Sequence, residues 1–463
     1  MDVPRILIAG VRGGSGKTLI SLGLLAAWRR QGLRVAPFKK GPDYIDAAWL
    51  SLAAARPCRN LDLFLMSPQT ALGSFADSTA DSHIAVIEGN RGLYDGMDAQ
   101  GSYSTAQLAK LLQAPVVLAT DCTKATRTVA AVVLGCQQLD PQVRLKGVIL
   151  NQTAGPRHES VLREAVEGDC GLPVVGVIPR IPEPLFPERH LGLVPPQEHG
   201  GLKTAIQRAA DVAEDHLDLQ AIWELAKGAP ALEPPTQSPA IGAAPATELA
   251  RIGVFRDAAF QFYYPDNLEA LEREGARLIE VSPIRDTTLP AVDALYVGGG
   301  FPETLALSLS ENRPFRDSLR RAIEAHLPVY AECGGTVYLG EKLLFQGKEY
   351  PMVGALPVVF AFRNKPQGHG YTVLETVHDN PFYPVGVHIR GHEFHYTYMH
   401  SSAEDLSFAF RVLRGFGFDG ERDGLRHRNA LACYTHIHAL GTESWARALV
   451  SAAARFHAHS NSA

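Results

Sequence analysis

The first half of the chain alternates short apolar runs with longer segments in which apolar residues recur at helical spacing. Each apolar run ends at a turn-forming or polar residue. Because buried strands that alternate with helices fold into a parallel sheet covered on both faces, this pattern predicts a mostly parallel α/β sheet. The predicted strands cover residues 5–9, 34–38, 83–88, 115–120, 146–150 and 173–178.

A second alternation begins at Arg251, after a stretch rich in proline and alanine that has no hydrophobic period. Such a stretch is typical of a semi-extended linker. Beyond it, strands are predicted at residues 251–255, 277–281, 294–297 and 327–330, followed by further strands at 371–376, 408–413 and 430–434 and an amphipathic helix near 442–456. We therefore predict one domain over residues 1–227, a linker over 228–250 and a second α/β domain over 251–463.

Length and charge narrow the class of protein. At 463 residues the chain is too long for one ordinary domain. Its net charge is −5, and basic residues form no block or stripe, so we expect no nucleic-acid partner. No apolar run has membrane-spanning length and the N-terminus has no apolar leader, which indicates a cytoplasmic protein with no membrane partner. The six cysteines lack Cys-x-x-Cys spacing, so neither a disulfide framework nor a zinc site is expected.

A phosphate-binding loop follows the first predicted strand. Residues 10–18 read Gly-Val-Arg-Gly-Gly-Ser-Gly-Lys-Thr and precede a helical pattern that ends near Gly32. The spacing is one residue wider than a strict Walker A motif and resembles that of dethiobiotin synthetase-like ATPases. We expect the loop to bind ATP, with Lys17 reaching the β- and γ-phosphates and Thr18 offering its hydroxyl to Mg²⁺. The remaining predicted ATP-binding residues of the loop are Gly13, Gly14, Ser15 and Gly16.

Carboxylates stand at the ends of the neighbouring strands. Asp43 and Asp46 follow the second predicted strand, and Glu88 ends the third. Parallel strands end at one edge of a sheet, so these groups would hold Mg²⁺ or orient the phosphoryl acceptor there. The predicted metal ligands are Thr18, Asp43 and Glu88. Asn151, at the end of a later strand, either reads the adenine edge of ATP or is an ordinary turn asparagine.

A cysteine on a predicted strand–turn–helix is the candidate nucleophile of the second half. Residues 331–335 read Ala-Glu-Cys-Gly-Gly, and the small residues on either side of Cys333 suit a crowded nucleophile elbow. A helix N-terminus would favour its thiolate, which can attack a side-chain amide. Backbone N–H groups of Gly299, Gly300 and Gly334 are the candidate oxyanion hole. A base is available in the Tyr-Thr-His-Ile-His segment at residues 434–438.

The second half resembles a triad-type glutamine amidotransferase, and the whole chain resembles the cobyrinic acid a,c-diamide synthase family. The resemblance is carried by the motifs at residues 257–264, 298–303, 331–335 and 391–396. It implies an N-terminal P-loop, dethiobiotin synthetase-like, parallel-sheet domain and a C-terminal amidotransferase α/β domain. His438 stands where ordinary class I glutaminases carry a glutamate, so the resemblance implies a Cys333–His436 dyad rather than a triad.

The resemblance also implies a reaction and its substrates. The family amidates the a and c acetate groups of cobyrinic or hydrogenobyrinic acid on the route to cobalamin, using ATP, Mg²⁺ and L-glutamine. Close relatives act on siroheme or nickel-sirohydrochlorin, so another tetrapyrrole stays open as the substrate. The residues implied in substrate binding and phosphoryl transfer are Lys39, Tyr44, Asp46 and Asp95.

This sequence departs from the family pattern at two places. Ala47 and Ala48 replace a usual proline and histidine, and Asn90 and Arg91 replace apolar residues. Both departures bear on which tetrapyrrole is bound. The motif at residues 392–395 either lies near the glutamine site or forms structural hydrogen bonds.

Two further alternatives remain open from the sequence. The first is a P-loop switch ATPase whose second half is a non-catalytic docking domain; such a protein would not need Cys333, Gly334 and His436 all intact. The second concerns Arg12, which occupies the place of a lysine that acts across a dimer in partitioning-type ATPases. It would act in a homodimer or would be a solvated loop arginine.

Overall fold

The computed structural model describes residues 2–181, 186, 188–189, 192–196, 200–233, 248–403 and 405–460. Most of the predicted linker, residues 234–247, lies outside this set. The chain divides into two compact units, Met1–Ala240 and Ile241–Ala463. Within the described ranges, no helix is long and apolar enough to cross a membrane.

The first unit is built from short buried strands and the helices between them. Its strands are β1 (Arg5–Gly10), β2 (Val35–Lys40), β3 (Arg59–Leu61), β4 (Ile84–Glu88), β5 (Val116–Asp121), β6 (Leu145–Thr153), β7 (Val174–Pro179), β8 (Glu188–Arg189) and β9 (Gly192–Leu193). Its helices are α1 (Lys17–Arg30), α2 (Ile45–Ala54), α3 (Pro68–Thr79), α4 (Thr105–Leu111), α5 (Thr128–Leu139), α6 (Pro156–Cys170), α7 (Leu202–His216) and α8 (Leu219–Lys227).

The strands β1 to β7 form a parallel sheet in the order β3-β2-β4-β1-β5-β6-β7. Every residue of β1, β2 and β4 is buried, as expected of central strands with helices on both faces. Gly23 lets α1 approach α7 closely, since a Cβ there would lie 2.7 Å from the carbonyl oxygen of Ala209. The predicted parallel α/β class is confirmed for this unit, and the short strand β3 is an addition to it.

The second unit contains more strands than the sequence pattern predicted. Its strands are β10 (Ala250–Phe255), β11 (Ala276–Val281), β12 (Ala294–Val297), β13 (Val329–Glu332), β14 (Lys342–Phe345), β15 (Lys348–Pro351), β16 (Val358–Phe362), β17 (Gly368–Thr376), β18 (His388–His395), β19 (Thr397–Ser402), β20 (Ser407–Arg414), β21 (Arg422–His427), β22 (Ala430–Cys433) and β23 (His436–Ile437). Its helices are α9 (Pro265–Arg273), α10 (Ala306–Glu311), α11 (Arg313–Glu324), α12 (Gly334–Leu339) and α13 (Ser444–Ser460).

The main sheet of this unit has the order β11-β10-β12-β13-β22-β21-β20-β17-β18-β23. The strands from β11 to β22 run parallel, and the pairs from β22 to β23 are antiparallel. A smaller sheet has the order β15-β14-β16-β19. Helix α11 covers the core with Phe315, Leu319 and Ile323, which are spaced four residues apart and fully buried. The fold therefore brings β12, β13 and β22 side by side, with their carboxyl ends at one edge.

Candidate active sites

The phosphate loop joins β1 to α1 and contains the predicted ATP-binding residues Gly13, Gly14, Ser15, Gly16, Lys17 and Thr18. Gly14 and Gly16 have φ of 76° and 92°, in the left-handed region that glycine adopts at least cost. Ser15 donates its hydroxyl to the carbonyl oxygen of Arg12 at 2.9 Å. The loop is therefore a tight turn, and a hydrogen bond between two of its own residues holds its backbone just before α1.

Lys17 lies between the phosphate loop and the loop after β4. Its Nζ donates to the carbonyl oxygens of Arg12 at 3.3 Å and Arg91 at 2.8 Å. In the second loop, the Asp95 carboxylate accepts the N–H of Gly92 at 2.8 Å. Burial lowers the pKa of Lys17. Both loops thus meet at one ammonium group, and Asp95 lies close enough to act on its charge.

Asn151 packs against the phosphate loop from β6. Its amide nitrogen donates to the carbonyl oxygen of Ser15 at 3.1 Å. A Cβ on Gly16 would lie 2.2 Å from that nitrogen, so the glycine makes room for the asparagine. Asn151 therefore supports the loop in this structure, and its reading of adenine stays a prediction.

A buried cluster of charges lies at the carboxyl ends of β2 and β4. Lys39 and Glu88 are register partners in these strands, and Lys39 Nζ donates to Glu88 Oε1 at 2.7 Å. Thr18 donates its hydroxyl to the same oxygen at 2.8 Å. Lys39 also donates to Asp46 at 2.6 Å and lies 3.9 Å from Asp43. The structure therefore brings these five predicted site residues together.

The charged groups of this cluster shift one another's pKa values. Burial alone would lower the pKa of Lys39, but the carboxylates of Asp46, Glu88 and Asp43 outweigh it and raise that pKa well above its usual value. Burial raises the pKa of Glu88. Burial, together with the charge of Asp46, raises the pKa of Asp43 to about 7. Lys39 is thus a permanent cation surrounded by acids that differ in their affinity for protons.

The oxygens around Glu88 suit a hard cation such as Mg²⁺. Glu88 is fully buried, and its Oε2 has no hydrogen-bond partner within the described residues. Mg²⁺ prefers oxygen ligands and commonly binds through one or two carboxylates together with substrate phosphates. No group of three or more His, Cys, Asp or Glu among the described residues is arranged to hold a metal unaided. Glu88 and Thr18 therefore fit a site completed by phosphate, and the Asp43 carboxylate lies 3.9 Å from the Lys39 ammonium.

The residues that depart from the family pattern border this cluster. A Cβ on Gly41, the residue after β2, would lie 3.0 Å from the side-chain nitrogen of Asn90, so the two loops touch. Arg91 is exposed with φ of 50°. Tyr44 directly precedes α2. The Asn90 side chain thus lies against Gly41, two residues after Lys39 of the carboxylate cluster.

Arg12 has a partner in its own unit. Its guanidinium lies 2.8 Å from the carboxylate of Asp121, at the end of β5, and its side chain is 68% exposed. In this structure the arginine is therefore an exposed, ion-paired loop residue.

Cys333 occupies a strained elbow between β13 and α12. Its φ of 46° and ψ of −105° are unusual for a residue with a side chain and cost about 1–3 kcal/mol. A Cβ on Gly335 would lie 2.5 Å from the carbonyl oxygen of Val297, so only glycine fits there. The N–H of Cys333 donates to the carbonyl oxygen of Cys433 at 2.7 Å, which ties the elbow to β22. Neighbouring strands thus hold the strained conformation.

The thiol itself is buried, and this corrects the expectation that the helix N-terminus favours its thiolate. Burial raises the pKa of Cys333, and the negative charge of Glu303 adds to the effect. Helix α12 has six residues, so its dipole is weak. The thiol therefore needs a base to become a nucleophile.

The glycine loop after β12 presents backbone N–H groups beside the elbow. The carbonyl of Gly299 accepts the N–H groups of Gln261 and Phe262 at 3.0 and 3.1 Å. In a trans peptide the next N–H, that of Gly300, points the opposite way. A Cβ on Gly334 would lie 3.0 Å from the nitrogen of Gly300. The structure thus brings Gly299, Gly300 and Gly334 together, as predicted for an oxyanion hole.

The ring of His436, in β23, packs against the glycine loop on one side and contacts a carboxylate on the other. A Cβ on Gly299 would lie 2.5 Å from Cε1 of His436 and 3.3 Å from its Nε2. Nδ1, on the other side of the ring, lies 3.3 Å from Oε2 of Glu332. No partner for this histidine was predicted from the sequence. The carboxylate of Glu332, immediately before Cys333, was the signal that could have indicated one.

Two residues of the motif at 392–395, His392 and Glu393, have different surroundings. The ring of His392 stacks on that of His436, with centroids 5.0 Å apart. Burial, with the neighbouring histidines, lowers the pKa of His392 well below its usual value, so it is neutral. Glu393 instead accepts the N–H groups of Phe416 and Gly417 at 2.6 and 2.9 Å. The motif thus contributes one ring beside His436, while Glu393 anchors a turn.

Family models match both units. Residues 6–191 match the CobQ/CobB/MinD/ParA nucleotide binding domain, and residues 251–444 match the CobB/CobQ-like glutamine amidotransferase domain. With the geometry above, these matches define a glutamine-dependent amide ligase with a nucleotide-binding domain.

Relatives similar over nearly the whole chain define the family more closely. The chain is 45% identical to the cobyrinate a,c-diamide synthase of Magnetococcus marinus, over 96% of each chain. It is 42% identical to that of Archaeoglobus fulgidus, over 98% of each chain. The enzyme of Dehalococcoides mccartyi (strain CBDB1) is 40% identical over 95% of this chain and 96% of its own. The chain belongs to the cobyrinate a,c-diamide synthase family.

Proposed function

We propose that this protein uses ATP and L-glutamine to amidate the a and c acetate carboxylates of a cobyrinic acid-type tetrapyrrole. One observation carries the proposal: a single chain combines the strained Cys333 elbow, beside the N–H of Gly300, with a phosphate loop whose Thr18 contacts Glu88. The first arrangement suits amide hydrolysis and the second suits phosphoryl transfer. The similar proteins of Magnetococcus marinus and Archaeoglobus fulgidus are cobyrinate a,c-diamide synthases, which supports the corrin as the substrate.

The amidotransferase unit releases ammonia from glutamine. Nε2 of His436 takes the thiol proton as the sulfur of Cys333 bonds to the side-chain carbonyl carbon. Backbone N–H groups of Gly300 and Gly334 stabilise the negative oxygen that forms. The C–N bond breaks as His436 returns the proton to the leaving nitrogen, which gives ammonia and a thioester. Water then hydrolyses the thioester to glutamate and the free thiol.

The nucleotide-binding unit activates the carboxylate that receives this ammonia. A substrate carboxylate oxygen attacks the γ-phosphate of ATP, which gives an acyl phosphate and ADP. Ammonia attacks the acyl carbon, and phosphate leaves. Such a transfer is catalysed mainly by positioning and by neutralisation of charge. Lys17 supplies positive charge beside Asp95, and Lys39 carries a second permanent positive charge at the carboxylate cluster.

The oxygens of Glu88 and Thr18 would hold Mg²⁺, which neutralises phosphate charge when bound. The buried Oε2 of Glu88, with no hydrogen-bond partner among the described residues, supports this assignment. Asp43, Asp46 and Tyr44 would then face the acceptor carboxylate, with Lys39 between the acids.

A second tetrapyrrole, siroheme or nickel-sirohydrochlorin, is favoured by one observation. Asn90 places a polar side chain against Gly41, two residues after Lys39 of the cluster, where the family resemblance implies an apolar residue. A ring with a different set of carboxylates would suit such a group.

The test is purified protein with glutamine and Mg²⁺-ATP and, in parallel, cobyrinic acid, hydrogenobyrinic acid and siroheme. Mass spectrometry then follows the conversion of carboxylate to amide. Two amidations on the corrin are expected. Amidation of siroheme alone would keep the mechanism and change the substrate. No amidation of any of these would favour the P-loop switch and refute the proposal for these substrates.

A further inference from the structure

Glu332, the residue before Cys333, is a buried carboxylate at the end of β13. It is fully buried. Its Oε2 accepts the hydroxyl of Tyr296 at 3.2 Å and lies 3.3 Å from Nδ1 of His436. Its Oε1 accepts the N–H of Ile437 at 3.2 Å. The carboxylate is therefore enclosed by donors from β12 and β23 and touches the ring of the proposed base.

These contacts determine the tautomer of His436. An ionised carboxylate only accepts hydrogen bonds, so the imidazole nitrogen that faces it must carry a proton. A neutral ring with its proton on Nδ1 keeps the lone pair on Nε2. The ring of His436 therefore presents its basic nitrogen on the side away from Glu332.

That side faces the glycine loop. Nε2 lies 3.3 Å from the position a Cβ on Gly299 would occupy, and Gly334, next to Cys333, lies beside Gly300 of the same loop. The N–H of Cys333, the residue after Glu332, donates to the carbonyl oxygen of Cys433, three residues before His436. One strand end thus carries both the nucleophile and the carboxylate that contacts the base.

The other titratable groups around His436 have different partners. His438, which stands where a glutamate is usual, accepts the N–H of Leu440 at 3.2 Å and lies 3.8 Å from Asp266. Its ring packs on Tyr264, with centroids 4.5 Å apart. His392 covers one face of His436 and is neutral. The acids that act on the Cys333 thiol are Glu303, Glu332 and Glu393.

We infer that Glu332 is the positioning residue for His436, so that a Cys333–His436–Glu332 arrangement replaces the dyad expected from the sequence. The inference rests on the proposed glutaminase function. Here the carboxylate comes from the residue before the nucleophile, whereas ordinary class I glutaminases supply it two residues after the histidine. It holds the ring in the basic tautomer and stabilises the imidazolium once the thiol proton has moved.

The test substitution is Glu332→Gln, which keeps the shape of the side chain and removes its charge. Its oxygen can accept from Ile437, and its amide N–H then faces Nδ1 of His436 and favours the tautomer with the proton on Nε2. In a serine protease, the wrong tautomer lowers kcat about 10⁴-fold. We expect kcat for glutamine hydrolysis to fall at least about 100-fold here, since a thiol is more easily deprotonated than a hydroxyl. The acidic limb of the pH profile should move to lower pH, because the imidazolium loses its counter-charge and His436 stays unprotonated to lower pH.

A readout without turnover separates positioning from structure. Alkylation of Cys333 by iodoacetamide, followed on its peptide by mass spectrometry, should slow at least about tenfold at neutral pH in Glu332→Gln, because less thiolate forms. The matched control is Thr336→Val, which removes a buried hydrogen bond of 2.7 Å to the carbonyl of Cys433 beside the same elbow. Thr336→Val should lower Tm and leave the pH profile and the alkylation rate as in wild type.

For a second variant, Tyr296→Phe, we expect the pH profile to shift in the opposite direction. This variant tests the inference even if Glu332→Gln fails to fold. It removes one donor to the carboxylate, which then attracts the imidazolium more strongly, so the acidic limb should move to higher pH. A folded Glu332→Gln with wild-type pH profile and alkylation, or a Tyr296→Phe without the upward shift, would overturn the inference. Wild-type protein that hydrolyses no glutamine would instead refute the proposed function.

Discussion

Gly299, in the glycine loop, lies directly against the ring of His436, and the substitution Gly299→Ala tests that geometry. The added Cβ would lie 2.5 Å from Cε1 of His436, whereas ordinary contacts begin near 3.4 Å, so the ring or the loop must move about 0.9 Å. A misplacement of about 1 Å at a catalytic group can cost about 100-fold in rate. We therefore expect kcat for glutamine hydrolysis to fall by about 100-fold, with a loss of about 1–3 kcal/mol in stability from overpacking.

The assay is glutamate release from glutamine, measured beside amidation driven by added ammonium. Ammonium-driven amidation should stay near the wild-type rate, because it bypasses the thiol. Gly168→Ala is the matched control, since its Cβ would meet nothing within 4 Å in α6. Glutamine hydrolysis within about threefold of wild type in Gly299→Ala would refute the assigned position of the base, since a shift of that size costs about 100-fold.

Three further substitutions test the nucleotide-binding unit. Lys17→Met should lower ATP-dependent amidation at least about 1000-fold, through lost phosphate neutralisation, and leave basal glutamine hydrolysis unchanged; equal loss of both activities would contradict this. Glu88→Gln should raise the Mg²⁺ concentration needed for half-maximal amidation at least about tenfold, because the amide oxygen carries no charge; an unchanged Mg²⁺ titration would rule out Glu88 as a ligand. Arg12→Ala should change the KM for ATP by no more than about threefold, since an exposed ion pair contributes about 0–1 kcal/mol; a loss of about 100-fold in kcat would indicate a role across subunits.

The features that the sequence predicted are local ones. The phosphate loop is a run of glycines between an apolar strand and a helix, so its position and turn follow from residues 10–18 alone. The same holds for the Cys333 elbow, where small neighbours indicate crowding. The carboxylates Asp46 and Glu88 were expected together because parallel strands end at one edge.

The features that the sequence missed depend on pairing between distant strands. Glu332 meets His436 only because β13 pairs with β22, which returns about a hundred residues later. Burial of the Cys333 thiol, which raises its pKa, likewise depends on the completed core. The small sheet of β14, β15, β16 and β19 has short strands with polar residues on the exposed face, so its hydrophobic period is weak. Local patterns carry no information about these contacts.

In the proposed reaction, Cys333 supplies the ammonia that the nucleotide-binding unit consumes. The most direct test is amidation of cobyrinic acid with Mg²⁺-ATP by wild type and Cys333→Ala, each with glutamine or with ammonium as the nitrogen source, with Cys136→Ala as the control thiol. Cys333→Ala should lose the glutamine-driven product and keep the ammonium-driven one, while Cys136→Ala should keep both. Glutamine-driven amidation by Cys333→Ala at the wild-type rate would refute this role of Cys333.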